Sequence, residues 1–106
     1  MNFKDLIASK KAFQLSMDIY RISKRFSKEE TYSWTDQIRR SSRSACANTA
    51  EAYRKRLDVE NFISKLTDAE AENSETSVWL DFAVTCDYVP KTNTRNCILK
   101  QRRLRN

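Results

Sequence analysis

The sequence contains no glycine and no histidine, one proline and three cysteines. Each shortage removes a class of structure or chemistry. Tight β-hairpins turn on Gly or Asn-Gly, and parallel folds lean on Gly-rich connections, so a glycine-free chain of 106 residues points to helices joined by short polar links. It also has no Gly-rich phosphate loop, no imidazole base, and no Ser or Cys nucleophile in register with a base; the protein is expected not to be an enzyme. Cys46, Cys86 and Cys97 form no C-x-x-C pair. Without histidine no zinc or other metal site is expected, no cofactor is implied, and free thiols suit a reducing cytoplasm. No run approaches the roughly 20 apolar residues needed to span a membrane. The opening MNFKDLIASKK lacks the apolar core of a signal peptide, so a cytoplasmic protein without membrane contact is expected.

What is present is charge, and it is segregated. The net charge is +6, yet residues 58–90 hold Lys65 alone against eight carboxylates, while residues 91–106 hold six basic side chains and no acid. Residues 1–28 and 31–57 are both mainly basic. Such asymmetry points to contact with a polyanion or to complementary packing between elements.

The length suits one domain, and the periodicity divides it into three long helices over residues 1–90 and a short basic segment, 91–106, that is a partial fourth helix or a frayed tail. The first helix is predicted over Phe3 to Phe26. Ala8, Ala12, Leu15, Ile19, Ile22 and Phe26 make one apolar stripe, and Leu6, Phe13, Met17 and Tyr20 make a second that calls for a partner. After the link SKEETYS, Ser33 or Thr35 is a candidate cap for the second helix. Trp34, Ile38, Ser41, Ala45, Asn48 and Ala52 then share one face, with Thr49 at its edge; Arg39, Arg40, Arg43 and Arg54 lie on the other. The stretch QIRRSSRSACANTAEAYRKR thus combines small residues facing inward with guanidinium groups facing outward. Asn48 and Asn73 are expected as buried polar ties between helices, which need hydrogen-bond partners. Asp58 caps a third helix predicted over Val59 to Tyr88 and stopped by Pro90. Its expected core stripe is Val59, Phe62, Ile63, Leu66, Asn73, Ser77, Leu80 and Val84, with Val78, Trp79, Phe82 and Cys86 behind the last turns. Asp68, Glu72 and Glu75 are expected to project outward.

The run from Gln37 to Arg56 resembles the signature of a bacterial four-helix-bundle family first noticed as products of 23S rRNA intervening sequences, approximately Q-[LI]-R-R-A-x-x-S-I-x-x-N-[IT]-A-E-G-x-x-R. Gln37, Arg39, Arg40, Ser44, Asn48, Ala50 and Glu51 match in register. KEETYSWTDQ before it and NFISKLTDAEAENSETSVWLDFAVTCDYV after it extend the resemblance over residues 5–89. The accessory variability determinant of diversity-generating retroelements, which partners a reverse transcriptase, is similar in architecture. The resemblance implies an all-α, antiparallel up-down four-helix bundle, here with a short or degenerate fourth helix, assembled as a homo-oligomer, in the family a homopentamer. It also implies a basic surface able to contact RNA or DNA, and a reverse transcriptase or other ribonucleoprotein component as a protein partner. Two departures stand out. Ala52 replaces the signature's Gly, and residues 91–106 look truncated or frameshifted beside the family's longer, amphipathic fourth helix.

Two functions follow as expectations. Arg39, Arg40, Arg43 and Arg54 form a nucleic-acid-binding face that holds phosphates without reading sequence. Alternatively, the protein is an interaction scaffold whose basic face docks an acidic protein. The arginines also have a plain structural use, pairing with the carboxylates of the third helix.

Overall fold

The computed structural model describes residues 3–26 and 28–86. They form three α-helices: α1 over Phe3–Ser23, α2 over Asp36–Arg54 and α3 over Val59–Thr85. Among the described residues there is no strand. The basic segment 91–106, Tyr88 and Pro90 lie outside the described residues.

In a chain without glycine the usual left-handed cap at a helix C-terminus is unavailable at low cost. Both described C-caps avoid it. Lys55 closes α2 at φ −100°, ψ 20°, and Cys86 closes α3 at φ −87°, ψ 4°. The helix predicted to reach Tyr88 therefore ends at Thr85, because Cys86 already leaves helical geometry. α1 likewise stops at Ser23 rather than Phe26. The next three residues form tight turns, with the Phe26 N–H donating to the Ser23 carbonyl at 3.1 Å.

The second part of the α1–α2 link is helical, a 3₁₀ turn over Lys28–Glu30 followed by a π-turn over Thr31–Thr35 that runs into α2. Thr35 has helical backbone angles and its side chain makes no capping hydrogen bond, so this candidate does not cap α2. A capping hydroxyl needs an extended residue ahead of the helix, and the π-turn supplies a helical one. Trp34 consequently sits in the link and not on α2. It stacks on Phe26 at 5.5 Å, meets Phe82 edge-on at 5.9 Å, and donates its indole N–H to the Trp79 carbonyl at 3.1 Å. This aromatic lid closes one end of the structure. At the other end Asp58 is an extended N-cap whose carboxylate accepts from the Asn61 N–H at 3.3 Å and from the Asn61 side-chain amide at 2.7 Å.

α2 packs along both α1 and α3, most extensively on α3. The core joins Leu15 and Ile19 of α1, Ile38 of α2, Leu80 and Ala83 of α3, and the lid. Small residues let α2 and α3 approach closely. Ala52 is fully buried, and Ser41 shares a buried hydrogen bond of 2.7 Å with Thr76. On the α1 side, the Ser16 hydroxyl donates to the Ser42 carbonyl at 2.9 Å.

The first stripe of α1 is buried as expected at Ala12, Leu15, Ile19 and Phe26. The stripe of α3 is met in part. Asn73 and Leu80 are buried as expected, together with Ala69, Thr76 and Ala83, whereas Val59 and Ile63 are exposed. The α2–α3 approach favours small side chains at Ala69, Thr76 and Ala83, on the face of α3 that also buries Leu80.

Candidate functional site

The four arginines of α2 lie within about 100° of one another round the helix. They divide according to what lies beside them.

Arg40 turns to α3. Its two terminal nitrogens donate to Glu72 at 3.0 Å and Glu75 at 2.6 Å, and its Nε to Gln37 at 3.3 Å. The two outward-facing acids are thereby drawn into a bridge between helices. Its consequences are mutual: Glu75 holds the Arg40 guanidinium above its ordinary value, against partial desolvation. The Arg40 hydrogen bond, aided by the indole N–H of Trp79, holds the Glu75 carboxyl below its own. This is the plain structural use of an arginine, and it takes Arg40 out of the free basic surface.

Arg54 stays at the C-terminal end of α2. It pairs with Glu51, which Lys55 also contacts at 3.2 Å. The Lys55 contact is the main reason the Glu51 carboxyl lies below its usual value.

Arg39 and Arg43 turn to α1. Arg39 donates its Nε to the Ser23 hydroxyl at 2.6 Å and lies over the Tyr20 ring, 4.8 Å from its centroid. Arg43 donates its Nε to the Arg39 carbonyl at 3.1 Å. Neither pairs with a carboxylate among the described residues. Arg39, Arg43 and the second stripe of α1, at Phe13, Met17 and Tyr20, line one groove. The sequence showed the stripe and the arginines separately. Their juxtaposition needed the crossing register of α1 on α2, which the contacts of Ser16 with Ser42 and Ser23 with Arg39 set.

On the opposite side, α1 and α3 leave a cleft of about 280 Å³ whose floor is α2. Ala12, Leu15, Ala45, Thr49, Leu66 and Asn73 are among its lining residues. Cys46 lines both openings; partial burial pushes its thiol up, with a Ser16 hydrogen bond opposing.

The sequence profile of the 23S rRNA-intervening sequence protein family matches residues 4–106. The chain belongs to this family. No curated protein matches it. Its fold is similar to the crystal structure, at 1.70 Å, of a protein of unknown function from the S23 ribosomal protein family of Bacteroides thetaiotaomicron, with a TM-score of 0.85 and 25% identity. That likeness covers 96% of this chain and 91% of the other. The family match runs past the 5–89 span of the resemblance, so the basic segment falls within the family's extent.

Membership sharpens the reading of the signature residues. Ala52, where the signature has Gly, is fully buried against its neighbours, as a position restricted to small residues should be. Asn48 is not the interhelical tie expected of it. It is half-buried, and its amide donates to the Ser44 carbonyl one turn back within α2, at 3.0 Å. Asn73 is buried, as expected. Among the described residues no group of Cys, Asp or Glu is arranged to hold a metal ion, and no helix is long and apolar enough to cross a membrane.

Proposed function

We propose that the protein is a non-enzymatic accessory factor of a nucleic-acid or ribonucleoprotein assembly, holding phosphates with the outer arginines of α2. One observation supports this above others. α3 carries a dense row of carboxylates beside α2, yet among the described residues their ion pairs to α2 go to Arg40, and Arg39 and Arg43 have no carboxylate partner there. Guanidinium groups without carboxylate partners are ready for phosphate, which they bind by releasing counterions. Arg54 extends the same surface one end further. The family's description in terms of 23S rRNA fits an RNA as the ligand. The protein partner in that assembly would be a reverse transcriptase or a comparable ribonucleoprotein component, acting in the cytoplasm, where free thiols such as Cys46 and Cys86 persist.

The same proposal includes an antiparallel up-down four-helix bundle, with a short or degenerate fourth helix in residues 91–106, outside the described residues. The contact pairs 16 with 42, 23 with 39, 40 with 75 and 53 with 62 support opposite helix directions. Exposed Ile63, Val78 and Phe82 on α3 support assembly into a homo-oligomer, for which a pentamer is the proposed number.

The test is a titration of the full-length protein with single-stranded and duplex RNA at several salt concentrations. The expected result is binding at about 50 mM salt that falls steeply by about 200 mM, and that the double variant R39Q/R43Q loses at all concentrations. An assembled protein that binds neither RNA at the lower salt sinks this reading and leaves the scaffold for an acidic protein.

A further inference from the structure

The outer seam of α1 and α2 holds an apolar groove of about 470 Å³. Phe13, Met17 and Tyr20 form one wall, and Arg39, Arg43 and Ala47 the other. Among the described residues no carboxylate lines it. Phe13 is 61% exposed and Tyr20 41%, although both stand on a surface otherwise dominated by charge. The two rings are not equivalent. Tyr20 already carries two cations, Arg39 at 4.8 Å and Lys24 at 4.9 Å from its centroid. That stacking, with the Ser23 hydrogen bond, fixes the guanidinium of Arg39 in place. Phe13 offers an open ring face. The stem of Arg43 is fixed through Nε to the Arg39 carbonyl, while its terminal nitrogens take no partner among the described residues.

We infer that this groove binds single-stranded nucleic acid, with a base stacked on Phe13 and the adjoining phosphates on Arg43 and Arg39. An exposed aromatic platform beside fixed cations is the arrangement by which proteins hold single strands without reading sequence. Phe13 and Tyr20 are two helical turns apart, about 10 Å, which matches about three stacked nucleotides at roughly 3.4 Å each. A duplex reaches the arginines through its phosphates, but its bases are stacked on one another and cannot use Phe13. The ring therefore confers a preference for single strands that charge alone does not. This inference rests on the nucleic-acid reading above and adds to it the site and the strandedness.

The experiment measures fluorescence anisotropy of a short labelled oligouridylate, and of a duplex of matched length, against the full chain and its variants, with mass followed by light scattering. Phe13 is largely exposed, so Phe13→Ala opens no cavity. It is expected to weaken oligouridylate binding about 5- to 150-fold, the range for loss of one stacking platform, and to leave duplex binding unchanged. Phe13→Trp is expected to restore the affinity. Arg43→Gln is expected to weaken both ligands and to reduce the oligouridylate salt slope by about 0.7. Equal oligouridylate binding by wild type and Phe13→Ala overturns the groove while leaving the nucleic-acid reading intact; no binding of either probe by wild type overturns both. A fall in mass on Phe13→Ala, with oligouridylate affinity unchanged, assigns the groove to contact between copies of the chain and also overturns the proposal.

Discussion

Asp58 carries the start of α3 on its own. Its carboxylate accepts from the backbone and side chain of Asn61, satisfying a donor that no helical carbonyl reaches. Asp58→Ala should cost about 0.5–2 kcal/mol in urea unfolding, and Asp58→Asn much less, since Asn caps about as well as Asp. Equal losses for both would show that charge and not capping is at work. Glu75 makes the corresponding prediction for pH. Its carboxyl lies below the ordinary value, chiefly through the Arg40 hydrogen bond. A group depressed in this way adds stability above the usual Glu pKa of about 4.3 and loses it as pH falls through the folded value. Stability contributed by this pair should thus be constant from neutrality to about pH 5 and decline below it. Arg40→Gln should flatten that acid limb while costing at most about 1 kcal/mol at neutral pH, because the pair is half-exposed. An unchanged limb would shift the decline to other carboxylates, with Glu51 next in line.

Between elements, α2 and α3 are held by shape first and by polar contact second. Ile38 is completely buried between the helices, and Ile38→Ala should cost about 2–5 kcal/mol. Thr76→Val breaks the buried bond to Ser41, but Ser41 keeps the Ile38 carbonyl of its own helix as an acceptor. Its cost should therefore be only about 1 kcal/mol. Chemical denaturation of the two variants tests the ranking, and a reversal would make the hydroxyl pair the main tie. The same elements mark how far pattern reading reaches. The first stripe of α1 was legible because Leu15, Ile19 and Phe26 are large and regularly spaced. The stripe of α3 is legible at Asn73 and Leu80 and not at its start: close approach of two helices also buries Ala69, Thr76 and Ala83 and leaves Val59 and Ile63 outside. Asn48 is not legible as a helix-surface residue for a related reason, since a carbonyl one turn back in its own helix satisfies its amide.

Over the whole molecule, the apolar residues left outside by three helices predict self-association. Light scattering should give a multiple of the 12.5 kDa chain mass, and five times that mass if the proposed pentamer forms. Val78→Asp, at an exposed position on α3, should lower that mass without altering helix content by circular dichroism. A monomeric wild type would remove the oligomer from the proposal without touching the groove of α1 and α2. By itself the sequence determined that the chain is helical, where the long helices lie to within a few residues, and which signature it carries. These depend on local propensity, on breakers that are absent, and on spacing along one helix. Only the tertiary structure decided which arginine meets which neighbour. Arg39, Arg40 and Arg43 are near neighbours in sequence, but a helix turns about 100° per residue. Arg40 consequently faces the acids of α3, while Arg39 and Arg43 face the aromatic rings of α1. The crossing register of the helices, set by contacts distant in sequence, separates a structural ion pair from a candidate binding surface.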